Sequence, residues 1–144
     1  MTATLTKPKS IGEAQEEVVE DFALFDDWKD RYQYIIELGR ALPPMPDEFK
    51  TEANRVSGCQ SKVWLHVQPQ DDQIVFLADS DAAISKGLVS LLVRVYSGHT
   101  PQEIASASAD FLEQIGLSSN LSSNRANGLA SMLQRIKQTA REMA

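Results

Sequence analysis

Apolar residues recur at three- and four-residue steps through Ile11, Ala14, Val18, Phe22 and Phe25. That is the period of one face of an α-helix. Ser10 and Glu13 stand where a capping box would start it. Asp26 or Asp27 can cap a second helix, with Trp28, Tyr32, Ile35 and Leu42 on its buried stripe. Pro43 and Pro44 are expected to end it, because proline lacks an N–H donor and clashes with the preceding turn. Residues 43–60 show no period. A loop that long in a compact domain is usually functional or mobile.

The period then shortens to two. Val63, Leu65 and Val67 alternate with Trp64, His66 and Gln68, which predicts a strand. A polar turn at 70–73 and a return strand at 74–78 complete an antiparallel hairpin. Asp79, Ser80 and Asp81 offer capping groups for a third helix, with Ile84, Leu88, Leu91 and Val95 inward and Gly98 at its end. Thr100 and Glu103 form a second capping box, with Pro101 at the first helical position. A short helix is expected at 111–115, stopped by Gly116, then a loop over 118–124. Leu129, Leu133, Ile136 and Ala140 mark a last long helix. This order predicts an α+β fold: a small antiparallel sheet with helices packed on one side.

The chain has 144 residues, which fits one domain over 11–144 behind a loose polar tail at 1–10. The tail has no apolar core of the kind a secretory signal needs. The formal net charge is −6. An acidic chain without a basic stripe repels phosphate backbones, so nucleic acid is not an expected partner. The richest apolar run, LVSLLVRVY, is interrupted by Ser90 and Arg94 and is too short to span a bilayer. A soluble, cytoplasmic protein is the expectation.

The candidate chemistry centres on Cys59, the only cysteine. No internal disulfide is possible. Gly58 favours a loop tip. Ser57, Gln60 and Ser61 offer donors, and Arg55 and Lys62 add positive charge that would lower a thiol pKa. The pattern alone leaves an inert buried cysteine and a reactive one both open. Only His66 and His99 could join Cys59 as metal ligands, and no two of the three sit at ligand spacing. Asp79 and Asp81 read more simply as caps than as an acid/base pair. A one-cysteine thiol peroxidase is an enzyme-class alternative, and a non-catalytic adaptor with a structural cysteine is another.

Four stretches together carry a resemblance: YQYIIELGRALPPMP at 32–46, NRVSGCQSKVWL at 54–65, ADSDAAISKGLVSLLVRVYSGHTPQEI at 78–104 and LSSNLSSNRANGLASMLQRIK at 117–137. The chain resembles the SufE family, including its CsdE branch, whose fold is shared with IscU-type scaffolds. The resemblance implies a sulfur acceptor with no cofactor and no metal of its own. Cys59 would take persulfide sulfur from a pyridoxal-phosphate-dependent cysteine desulfurase of the SufS or CsdA kind and stimulate that enzyme. It would then pass the sulfur to an iron–sulfur scaffold of the SufBCD kind. Gly58 and Gln60 would shape the cysteine loop. Asp81 matches an acidic residue bordering that loop, and Arg125 matches the arginine preceding the family's last helix, with a role in docking. A second cysteine would collapse a persulfide into a disulfide, and this chain has none.

Overall fold

A computed structural model describes residues 10–144. Apart from Ser10, the expected tail lies outside the described residues. Seven α-helices and one hairpin follow in the order α1 (Ile11–Ala23), α2 (Trp28–Arg40), β1 (Val63–Gln70), β2 (Gln73–Ser80), α3 (Ala83–Tyr96), α4 (Pro101–Ser106), α5 (Asp110–Gln114), α6 (Leu117–Asn120) and α7 (Ser123–Met143). The two strands pair antiparallel, with Val63 opposite Ser80 and Gln70 opposite Gln73. The α+β reading is therefore correct.

Local sequence explains most boundaries. Both capping boxes form, Ser10 with Glu13 and Thr100 with Glu103. Asp27 caps α2 by accepting the amide of Asp30 at 2.9 Å. That helix ends at Arg40, three residues before Pro43, because the residue preceding a proline already avoids helical angles. Phe25 and Leu42 consequently lie past the ends of their helices.

Three expectations need correction. The carboxylates at 79–81 do not cap α3: its N-cap is Ala82, which has no side-chain bond. Strand β2 runs on to Ser80, so Asp81 is drawn to the Lys62 amide just before β1, and Asp79 to Lys50 after the 3₁₀ turn and Lys86 in α3. Residues 118–124 are not all loop, since α6 occupies Leu117–Asn120 and Ser122 caps α7. The segment 43–60 is not irregular throughout. It contains a 3₁₀ turn at Asp47–Phe49, and Arg55 then forms an antiparallel bridge with Trp64.

Helix α3 lies at the centre. It packs on the hairpin, on α2 and on α7. Leu88, Leu91, Leu92 and Val95 are at most 1 % exposed. Burying each such side chain contributes about 1.5–3 kcal/mol. The α2–α3 contact is close because it is built on glycine. A Cβ on Gly87 would stand 2.0 Å from the carbonyl oxygen of Ile35, and one on Gly39 would stand 2.7 Å from the amide nitrogen of Gly87. On the strand face opposite Val63 and Leu65, the 3₁₀ segment covers what α3 does not. Phe49 stacks on His66 with ring centroids 3.8 Å apart, and Lys50 lies over Trp64.

Candidate functional site

The cysteine loop is short and closed at its base. The Val56 amide donates to the Val63 carbonyl at 2.8 Å, and the Leu65 amide donates to the Asn54 carbonyl at 2.8 Å. These bonds leave 57–62 as the loop proper. Its far end is fixed by Lys62, whose amide donates to Asp81 Oδ1 at 3.0 Å. Gly58 has φ +88°, in the left-handed region that glycine enters without steric cost.

The loop rests on α7. A Cβ on Gly58 would stand 2.4 Å from Ser131 Oγ. Cys59 Sγ points at the Gly128 carbonyl, 3.6 Å away. Gly128 itself leaves room, since a Cβ there would lie 3.6 Å from the sulfur. Gly128, Ser131 and Arg135 follow at helical spacing along one face. None of the three stands out in the sequence as part of the site. A glycine inside a helical pattern is the one available signal, because it costs helix stability and so implies a packing reason.

Cys59 is half-buried beside a cavity of about 250 Å³. Polar groups from three segments line it: Gln60 and Ser61 from the loop, Ser85 from α3, and Ser122, Asn124 and Arg125 from the start of α7. Leu88 and Met132 form its apolar floor. Val56 and Val63 belong to the core. Gly58 faces the other side of the loop, onto a second hollow bordered by Arg135.

The residues singled out from sequence therefore meet in part. Cys59, Gln60 and Arg125 share one cavity, with Arg125 on its exposed rim. Asp81 acts one step away, through Lys62. Asp79 is not with them. It is nine-tenths buried and bonds Lys50 at 3.1 Å and Lys86 at 3.5 Å. Burial opposes its charge, but the Ser80 amide and the two lysines outweigh that and hold its carboxyl below the usual range.

The electrostatics of the thiol differ from the expectation. Burial pushes the Cys59 thiol above its ordinary pKa, and the Arg55 guanidinium only partly offsets it. Nearby positive charge is present, but desolvation disfavours the thiolate more strongly. His66 is held elsewhere, stacked on Phe49 and paired with Asn54 at 3.0 Å. Among the described residues, no three metal-ligating side chains converge. No helix among them is long and apolar enough to cross a membrane.

A family model described as "Fe-S metabolism associated domain", that of SufE, matches residues 16–140. The chain belongs to the SufE family. A SufE-like protein of Rhizobium etli is 46% identical over 134 residues, covering 90% of each chain. One from Rhizobium meliloti is 45% identical over 130 residues, covering 87% of this chain and 93% of the relative. One from Synechocystis is 36% identical over 138 residues, covering 96% and 84%. The solution structure of a hypothetical protein from Thermus thermophilus matches with a TM-score of 0.74 at 22% identity, over 90% of this chain and 95% of that one. At that identity the likeness speaks for the fold. SufE membership and the α+β expectation thus agree with what the chain is similar to, and the family's description places it in iron–sulfur metabolism.

Proposed function

We propose that this SufE-family chain is a sulfur acceptor and carrier, working as one unit over 11–144 behind its tail, in the cytoplasm. Cys59 takes sulfur from a pyridoxal-phosphate-dependent cysteine desulfurase of the SufS or CsdA kind. The Cys59 thiolate attacks the outer sulfur of the enzyme's persulfide. A new S–S bond forms on Cys59, and the donor's inner sulfur leaves as a thiolate. The Cys59 proton goes to solvent or to that leaving thiolate, so nothing is oxidised or reduced overall. The same exchange passes the sulfur on to an iron–sulfur scaffold of the SufBCD kind. Removing the outer sulfur from the donor frees its cysteine for another turnover, which stimulates the desulfurase.

The observation that carries this reading is the setting of Cys59: the chain's only thiol, at the tip of a short closed loop and half-sheltered beside a cavity. Shelter suits a persulfide that must survive transit. Gly58 lets the loop turn, Gln60 lines the cavity, Asp81 fastens the loop, and Arg125 on the rim serves docking.

Mass spectrometry after incubation with a cysteine desulfurase and L-cysteine tests the reading. Cys59 is expected to gain one sulfur, and Cys59→Ser to gain none and to lose stimulation while keeping the fold. Stimulation by Cys59→Ser without added reductant would overturn the carrier mechanism. Added oxygen after peroxide, with no added sulfur, would favour the peroxidase.

A further inference from the structure

The structure assigns Arg135 as the positioning residue of the Cys59 thiol. Its guanidinium donates to the Ala53 carbonyl at 2.6 Å and to the Arg55 carbonyl at 3.2 Å. The carbonyl between them, that of Asn54, points the other way and accepts the Leu65 amide. Residues 52–54 form a turn in which the Asn54 and Arg55 amides donate to the Thr51 and Glu52 carbonyls at 3.2 Å, which leaves the 53–55 carbonyls free for these outside partners. The stretch 53–55 is thus held from both sides, by β1 through Asn54 and by α7 through Arg135. A planar fork suits this task because its several N–H groups diverge in a fixed geometry.

Three contacts then follow along one face of α7, about one per turn. Arg135 holds the chain entering the loop, Ser131 meets Gly58, and the Gly128 carbonyl meets the Cys59 thiol. Where Arg135 delivers residue 55 determines whether Gly58 reaches its close seat on Ser131. That seat in turn sets where the sulfur lands. Arg135 does not line the cavity beside Cys59, so it acts on the thiol only through the chain between them.

The consequence for sulfur transfer rests on the carrier reading, but the test does not, because it reads the thiol of the free protein. Arg135→Met keeps much of the stem and removes the donors. Its Cys59 is expected to react with iodoacetamide on the order of ten-fold faster, the factor that about 1.4 kcal/mol produces. Arg135→Lys should fall between, since one ammonium lacks the two-pronged geometry. Amide hydrogen exchange at 57–62 should quicken, while the buried centre of α3 stays at the wild-type rate. A merely structural arginine would lower Tm and quicken exchange across the core, leaving the Cys59 rate of the folded protein unchanged. That result, or equal alkylation rates in Arg135→Met and wild type, overturns the proposal. Should Arg135→Met not fold, Arg135→Lys against wild type decides it: a faster rate supports it and an equal rate overturns it. A bared thiol in the variant with no sulfur accepted by the wild type would sink the carrier reading and leave this one standing.

Discussion

Lys62 and Asp81 bond each other twice. The Lys62 amide donates to Asp81 Oδ1 at 3.0 Å, and the Asp81 amide donates back to the Lys62 carbonyl at 3.1 Å. Ser80 Oγ donates to that same carbonyl at 2.8 Å. The exit of the cysteine loop is thereby tied to the start of α3.

Asp81→Ala removes one of these bonds and should loosen the loop. The site is exposed, so water can replace the lost acceptor, and stability should fall by about 1 kcal/mol or less. Alkylation of Cys59 should become faster. Asp81→Asn keeps a carbonyl acceptor and should stay near wild type. An unchanged alkylation rate in Asp81→Ala would show that the tie does not restrain the loop.

Gly58→Ala meets two obstacles at once. The backbone there has φ +88°, where a side chain costs about 1–2 kcal/mol. The new methyl would also stand 2.4 Å from Ser131 Oγ. Thermal unfolding should show a clear loss of stability. Adding Ser131→Gly should recover the contact part of that loss and leave the backbone part. Full recovery would mean that the backbone angle carries no cost.

The pH dependence of Cys59 follows from burial. Its folded pKa is raised, so the neutral thiol is the form the fold accommodates. That contribution to stability is complete below the unfolded thiol's pKa and is lost as pH rises through the higher folded value. The alkylation profile of the free protein should therefore be displaced to higher pH than that of an unfolded control. Addition of a desulfurase that draws the loop out should bring it back. A profile matching the unfolded control would show that the thiol is not sheltered.

Arg125→Ala tests docking. The side chain is exposed on the rim of the cavity that Cys59 lines. Its loss should weaken desulfurase stimulation at low salt and change Tm little. The difference from wild type should shrink as ionic strength rises, because salt screens exposed charges. A large drop in Tm with stimulation intact in the folded fraction would make Arg125 a structural anchor instead.

Local rules made much of the fold legible. Ser10 with Glu13, Thr100 with Glu103, and Gly116 with φ +80° are signals contained within a few residues. The hairpin was readable from its alternation. What escaped depends on neighbours distant in sequence. Asp79 and Asp81 carry the chemistry of helix caps, yet Lys50 and the Lys62 amide, 29 and 19 residues away, claim them. Positive charge near Cys59 suggested an activated thiol, but desolvation by α7 and the loop is a tertiary effect with no local trace. Arg135 sits 80 residues from the carbonyl it holds at Arg55, and nothing in its own surroundings marks it.

The closed base of the loop acts as a leash. Val56 is tied to Val63, so the shorter arm to Cys59 begins at Val56. An extended chain advances about 3.3–3.6 Å per residue, so this arm lets the Cys59 backbone travel to about 10 Å from its tether, and the sulfur only a side chain's length further. A donor thiol at the bottom of a deeper shaft is out of range unless the donor moves its own sulfur outward. On the proposed carrier role, tether length would select partners by the depth of their entrance, independently of any charge they display.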